Sequence, residues 1–465
     1  MWRWEKWLLS LTGLLLVVAA VYGVGNWSLT GLAKYWLALV VLLGFAACYA
    51  LRCSLPQRGS TRVFLLAFGT LIVLVRLGWL VLAPTLPVSD FDRYHSYGSA
   101  IAQGKFDFPP AQEAGYPLLL GLWYRLFGAN VETAQALNLT SSLVTGLLLF
   151  LIAKRLLGEP AARVAVVLFA LWPAQVMMGS VPAAEMSYTA FLLGGIAVLL
   201  GGSHADSWSK RRPLIAGALL GVSYTIRPVS VLVLVACSAW TVLSSRDRPA
   251  TRLRRTTPMV AGFLVVMAIY LSARWALGGA SPLVSTLPLN ILVGTNIQAK
   301  GMWNPDDQSL FTRLMTERGP AGTGAVAWRV ALERIVADPA RFGALLFEKY
   351  NIMWGDDSYG TYWSTIKLEA SPMGQLLERN RDVLYAVSQS FYVWLLLLGA
   401  VGCYRLQRER SYGGIGLLLL IFLAFVFLHS LIEVQSRYHY PWAQFFVLLA
   451  GFGLVGEQKR HEGTV

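Results

Sequence analysis

Pro87-Val88-Ser89-Asp90-Phe91-Asp92-Arg93-Tyr94-His95 is the stretch on which the reading of this chain turns. It follows the apolar run 63–83 directly, after the turn Pro84-Thr85-Leu86-Pro87, so two carboxylates stand where that run ends. If the run crosses a bilayer, Asp90 and Asp92 lie at the mouth of a membrane-embedded site. A second account fits the same residues. Ser89 and Asp92 form an S-x-x-D variant of the capping box, and both acids favour the positive end of a helix over 92–103. The two accounts differ in what surrounds the acids, and that depends on the rest of the chain.

Of the 465 residues, 56% are apolar and 14% are charged. That much apolar surface exceeds what one globular core can hide, so most of it faces lipid. The expected fold is an all-α polytopic membrane protein. A net charge of +14 raises the question of nucleic acid, which would require basic residues gathered on one solvated face. Here they are spaced between apolar runs, as topology signals are, and no nucleic-acid partner is expected. Cys48, Cys53, Cys237 and Cys403 fall within or at the edges of expected spans, so four free thiols are expected. The N-terminal Met-Trp-Arg-Trp-Glu-Lys leads into an apolar run without a small-residue cleavage site and reads as an uncleaved first helix.

Runs of about 16–22 apolar residues, the length that spans ~30 Å of hydrocarbon, occur near 7–25, 33–51, 63–84, 133–153, 161–178, 184–202, 214–228, 229–245, 257–278, 384–403, 412–430 and 441–456. That predicts a bundle of about twelve transmembrane helices. With the N-terminus inside, the inner connections carry Arg3 and Lys6, Arg52 to Arg62, Lys154 to Arg163, Lys210 to Arg212, Arg246 to Arg255, Arg405 to Arg410, and Lys459 with Arg460. The outer turns, Lys34 apart, carry almost none. Both termini are therefore expected to be cytoplasmic.

Two long segments, 85–132 and 279–383, then fall outside. In the first, Tyr94, Tyr97 and Ile101 recur at helical spacing and Gly104 is placed to end that helix. The apolar segment 116–127 is too short to span and ends at Gly128, so it reads as an interfacial helix. In the second, 323–336 and Pro339–Trp354 are helix-like on either side of Asp338-Pro339, and Arg341, Glu348 and Lys349 argue against further spans.

Arg76 lies inside its span, where an unpaired cation costs about 2.5 kcal/mol or more, and is expected to have an anionic partner. Arg227 of Ile226-Arg227-Pro228 and Arg437 of Ser436-Arg437-Tyr438-His439-Tyr440-Pro441 fall at outer helix ends. Three fixed cations converging near Asp90 would suit a phosphate, whereas either outer arginine taken alone can snorkel to headgroups. Glu185 opens an outer-end helix, where a first-turn acid is also its own explanation.

These stretches together resemble a known family. The Asp90 to Gly104 segment, Gly115-Tyr116-Pro117 with Leu126-Phe127-Gly128, Glu185 opening a span, Arg227-Pro228 and Arg437-Tyr438-His439-Tyr440-Pro441 are similar to the GT-C membrane glycosyltransferases of the protein O-mannosyltransferase and lipid A aminoarabinose transferase type. The resemblance covers 63–456. It makes 63–456 the catalytic domain, 1–62 two additional N-terminal helices, and 457–465 a cytoplasmic tail. It implies a polyprenyl-phosphate sugar donor, an extracytoplasmic lipid, glycan or protein acceptor, and residence in the bacterial plasma membrane with the active site outside. The family's catalytic carboxylate falls on Asp90, with Asp92 beside it; the family often has adjacent acids, whereas Phe91 intervenes here. Arg76, Arg227 and Arg437 are the expected donor-phosphate ligands. Tyr94, His95, Tyr116, Glu185, Tyr438 and His439 are the expected substrate contacts.

The chemistry agrees with the residue types. A hydroxyl or amine acceptor is a weak nucleophile, so a carboxylate can take its proton as it attacks the anomeric carbon with inversion. A fixed arginine can stabilise the charge developing on a lipid-phosphate leaving group. Asp-Phe-Asp also matches the D-x-D element that holds a metal on a diphosphate, but a monophosphate flanked by arginines has less need of one, so no cofactor is expected. The rival class, a transporter or flippase of a lipid-linked saccharide, predicts paired halves and acids within spans. This chain has neither.

Overall fold

The computed structural model describes residues 3–25, 44, 59–106, 114–201, 211–244, 248–276, 286–409 and 414–456. The expected span 33–51, with Cys48 and Cys53, lies outside the described residues except for Gly44. Among the described residues the structure is helical, apart from one isolated bridge between Thr85 and Leu368.

The chain opens with α1 (Arg3–Gly25), followed by α2 (Thr61–Leu82), α3 (Asp90–Ala102), α4 (Gly115–Phe127), α5 (Val131–Leu157) and α6 (Glu159–Leu171). After Trp172 come the short α7 (Pro173–Met177), α8 (Ala184–Leu200), α9 (Arg211–Ile226), α10 (Val231–Ser244) and α11 (Pro249–Ala276). The second long loop contains α12 (Leu287–Gly294), α13 (Pro305–Ala337), α14 (Pro339–Trp354), α15 (Tyr359–Thr365) and α16 (Pro372–Arg379). The chain then returns through α17 (Arg381–Glu409) and α18 (Ile415–Leu431), makes a 3-10 turn at Ser436–His439, and ends in α19 (Gln444–Val455).

Helices occupy all eleven of the expected spans that fall on described residues. Five of them, α1, α2, α5, α11 and α17, are long and apolar enough to cross a membrane, and α6 with α7 makes a sixth if that bent pair is one span. The protein is an integral membrane protein. The expected count of twelve is not established, because α8, α18 and α19 are apolar helices of only 17, 17 and 12 residues. Pro173 is what breaks the sixth: a proline has no N–H for the i−4 carbonyl, and the axis turns by 56° there.

Close helix contacts are made by glycines. In the pair α9 and α11, a Cβ at Gly217 would stand 1.8 Å from Met259 O, and one at Gly262 would stand 2.0 Å from Leu214 O. Either substitution must force the helices apart. α1 packs along α17, which packs on α19, so the N-terminal helix belongs to the same body as the rest. Cys237 and Cys403 are buried free thiols, as expected.

The first outer segment differs from expectation at its start. α3 begins at Asp90, two residues early, and Ser89 makes no side-chain cap bond. The capping box is therefore absent, for a backbone reason: Ser89 has φ 56° and ψ −128°, which is left-handed for a residue with a Cβ. Its hydroxyl is carried away from the helix N–H groups. Gly104, at φ +80°, ends α3 as expected, and α4 ends at Gly128. In the second segment α13 is kinked at Gly319 (φ 65°) ahead of Pro320, and Asp338 caps α14 by accepting from Arg341 N.

The two outer segments are stitched together just before Asp90. Leu86 N donates to Lys367 O at 3.0 Å, Glu369 N donates to Pro84 O at 2.9 Å, and Thr85 Oγ1 donates to Ser364 O at 2.7 Å.

Candidate active site

α3 starts immediately beyond this stitch, so Asp90 projects from a fixed point on its first turn. Arg437, on the 3-10 turn before α19, donates from Nη2 to Asp90 Oδ2 at 2.6 Å. The Asp90 side chain is 18% exposed and that of Arg437 6%. Arg93, one turn on, pairs with Asp90 Oδ1. Burial pushes the Asp90 carboxyl up, but Arg437, Arg227 and Arg93 outweigh it and hold the group at about 2. Burial likewise opposes the charge on Arg437, and the field of Glu185, Tyr438 and Asp90 overcomes it, so its pKa is raised.

The Arg437 guanidinium is set in an aromatic frame, 5.7 Å from the Phe91 ring centre, 5.3 Å from Trp363 and 5.8 Å from Tyr438. Phe91 is fully buried and edge-on to Trp363 at 5.1 Å. The residue separating the two acids is thus the anchor that seats α3 under Arg437. Such cation–π contacts hold a planar cation while leaving its N–H edge for acceptors. Arg437 Nε and Nη1 are buried and make no hydrogen bond among the described residues.

A second ion pair adjoins the first. Arg227 Nη2 donates to Glu185 Oε1 at 2.7 Å, with the Glu185 side chain 5% exposed. Glu185 is the first-turn acid of α8, yet its partner is the arginine 42 residues on. Tyr116, which the charge of Glu185 reaches, is buried, and its hydroxyl makes no hydrogen bond among the described residues. Its ring meets Tyr94 edge-on at 5.2 Å. Tyr438 donates its hydroxyl to Glu433 Oε1 at 3.1 Å. Asp90, Arg227, Arg437, Glu185, Tyr94, Tyr116 and Tyr438 thus form one connected group.

Four expected residues stand apart. Asp92 is exposed, because two residues along a helix turn a side chain by about 200°. Among the described residues Arg76 has no anionic partner: Nη1 reaches Ala170 O at 3.4 Å and its guanidinium lies 5.1 Å from the Phe169 ring. His95 is turned to Tyr124, with Nδ1 2.7 Å from the hydroxyl. His439 is fully buried and has protein partners at both ring nitrogens, Met353 O and Asp357. None of its polar atoms is left for a substrate.

The structure also shows groups that sequence reasoning missed. Glu433, buried four residues before Arg437, accepts from Gln435 as well as Tyr438, and burial raises its pKa. Lys349 is buried and donates to Gly294 O and Ser430 O, each at 2.8 Å, and burial lowers its ammonium to about 7. Asp357 is buried between Trp172, Ser388 and His439. The adjacent acids Asp356-Asp357 after Gly355 were the available signal. Among the described residues no group of three or more His, Cys, Asp or Glu converges as metal ligands would.

Residues 114–275 match the family model of the dolichyl-phosphate-mannose-protein mannosyltransferases. The chain is similar to the GT-C membrane glycosyltransferases. The matched segment runs from the start of α4 to the end of α11, so it includes Tyr116, Glu185 and Arg227, while Asp90 and Arg437 lie on either side of it. Among solved structures, the oligosaccharyltransferase of Archaeoglobus fulgidus superimposes with TM-score 0.48 at 15% identity, over 84% of this chain and 48% of that one. ArnT from Cupriavidus metallidurans bound to undecaprenyl phosphate does so with TM-score 0.41 at 16% identity, over 85% and 78%. The chain therefore spans about half the length of the archaeal enzyme. No curated protein sequence matches it.

Proposed function

We propose that this protein is an inverting glycosyltransferase that moves a sugar from a polyprenyl-phosphate donor to an extracytoplasmic acceptor, at the outer face of a bacterial plasma membrane. The observation that carries the reading is the 2.6 Å bond between buried Arg437 and Asp90. It puts an anion-binding group and a candidate general base in direct contact.

At about 2, the Asp90 carboxylate is too weak a base to take a proton from a hydroxyl or amine efficiently. A phosphate competes for Arg437 as a bidentate acceptor. Once Arg437 turns its N–H edge to the phosphate, the carboxylate loses its main counter-charge and becomes more basic. Donor binding thus switches on the base. Arg227, held by Glu185, supplies a second fixed cation for the charge that develops on the leaving phosphate. Tyr116 and Tyr94 line the same group and can present hydroxyls to the sugar. The arginines carry the phosphate charge in this scheme, and it assigns no step to a metal. Residues 63–456 form the catalytic unit.

The test is direct. Purified protein is incubated with a panel of polyprenyl-phosphate sugars and candidate acceptors, and release of polyprenyl phosphate is followed. Acceptor-dependent release is expected for at least one donor; movement of a donor across a bilayer without release would point to the transporter class.

A further inference from the structure

The scheme above leaves Asp357 and His439 unused, yet both side chains are completely buried and face each other. His439 Nδ1 lies 2.6 Å from Met353 O, and Nε2 lies 3.2 Å from Asp357 Oδ1. A carbonyl oxygen can only accept, so the hydrogen of a singly protonated ring belongs on Nδ1. Nε2 would then present a lone pair, and an ionised Asp357 would present another opposite it. Two acceptors opposed at 3.2 Å, too close for any donor to sit between them, would leave a buried polar group unsatisfied and a charge uncompensated. One hydrogen must therefore lie between them. Whether it sits nearer nitrogen or oxygen, the pair as a whole is neutral. Burial raises the Asp357 carboxyl to about 6 against the pull of its donors, which agrees with a shared proton.

Asp357 is also a junction. Its Oδ2 accepts from Trp172 Nε1 at 2.8 Å, at the break between α6 and α7, and from Ser388 Oγ at 3.2 Å on α17. Its backbone N–H donates to Gln389 Oε1 at 2.9 Å. His439 is stacked on Tyr392 of α17 at 4.9 Å and meets Tyr359 of α15 edge-on. Arg437 stands two residues before His439 on the same 3-10 turn. Trp363, whose ring supports Arg437, stands six residues after Asp357 on α15.

We infer that the neutral, proton-sharing Asp357–His439 pair positions Arg437, by locking the 3-10 turn to the start of the α15 segment so that the guanidinium meets Asp90 and Trp363 in register. The inference rests on the proposed role of Arg437 in donor use. Asp357 is a positioning residue and touches no substrate.

The test compares Asp357→Asn with Asp357→Leu in the full-length protein. An asparagine amide can donate to Nε2 while its oxygen accepts from Trp172 and Ser388, so it keeps a neutral bonded pair. Asp357→Asn is expected to retain donor KM and turnover within about threefold, a change of well under a tenfold step in free energy. Asp357→Leu is expected to raise donor KM and lower turnover by about tenfold or more, and to add nothing when combined with Arg437→Ala, because residues acting as one unit are not additive. Impairment of Asp357→Asn as severe as that of Asp357→Leu would overturn the inference, and so would full additivity of Asp357→Leu with Arg437→Ala. If Asp357→Leu does not fold, Asp357→Asn decides alone, with near-wild-type transfer supporting the pair and a loss overturning it. A substrate-free arm separates this inference from the functional reading. Should Asp90→Asn transfer sugar like the wild type, that reading fails, and unfolding midpoints still judge the pair: an unchanged midpoint in Asp357→Asn supports it, and a fall equal to that of Asp357→Leu overturns it.

Discussion

Replacing Asp90 by Asn separates the two demands placed on that residue, because the amide is nearly isosteric but neither takes a proton nor carries charge. The carboxyl moves from an ordinary 3.8 to about 2 in the folded protein. At 1.36 kcal/mol per unit, the ionised form is stabilised by roughly 2 kcal/mol, and with the side chain only 18% exposed solvent screening removes little of it. A carboxyl whose folded pKa lies below its unfolded one contributes its full stability above the unfolded value and loses it as pH falls through the folded one. At neutral pH, Asp90→Asn is therefore expected to be less stable than the wild type by up to about 2 kcal/mol, as read from denaturant unfolding in micelles. The gap should close between about pH 4 and pH 2. Arg437 Nη2 can still donate to the amide oxygen, so the variant should insert, purify and bind the lipid donor. Its turnover should fall by at least about 10²-fold, the lower end of what losing a general base costs. Asp92→Asn, on an exposed position, should transfer sugar nearly as the wild type does. Near-normal turnover in Asp90→Asn at saturating donor would refute the assignment of the base, whatever the stability data showed.

Other substitutions test the remaining parts. Arg437→Ala should weaken donor use more than Arg437→Lys, since both lose the guanidinium fork but only alanine loses the charge; equal, near-wild-type KM and turnover in the two would return Arg437 to a purely structural place. For orientation, a cysteine introduced at position 250 should be protected from impermeant thiol reagents in intact cells, while one near 310 should react, because the arginine-rich 246–255 connection is expected inside. External labelling at 250 would reverse the topology.

The transmembrane character and the separate pieces of the candidate site are legible in the sequence because each is local. An apolar run, a proline-bounded turn and an arginine at a helix end can be read within a few residues. What joins them is not local. Asp90 and Arg437 are 347 residues apart, and Glu185 reads as a helix-capping acid until Arg227 is seen beside it. Asp92 and His439 are expected beside Asp90 and Arg437 because they neighbour them in sequence, and in the structure helix phase and burial set them apart from that group. Ser89 fitted the capping pattern by residue type, yet its positive φ turns the hydroxyl away. The places of Asp357 and Lys349 are hidden for a different reason. An acid pair after a helix, or a lysine within one, normally reads as solvated, and only the packing of other elements shows that these two are buried and hydrogen-bonded.

The bend at Trp172-Pro173 has a consequence for the order in which the protein is made. The carbonyl of Ala170, in the last turn of α6 before the break at Trp172-Pro173, is what Arg76 meets in the finished structure, 94 residues later in the chain. At synthesis rates of ~5–20 residues per second, α2 waits roughly 5–20 s before that carbonyl exists. During the wait its cation costs the nascent helix about 2.5–3.5 kcal/mol in lipid. α2 is therefore expected to be a helix whose residence in the bilayer is completed by a later one, with Arg76 setting the delay. Arrested nascent chains ending before 170 should integrate α2 poorly, Arg76→Leu should restore integration in those short chains, and the two should become equal once α6 and α7 have emerged. Equal integration at every length would show that the cation imposes no delay.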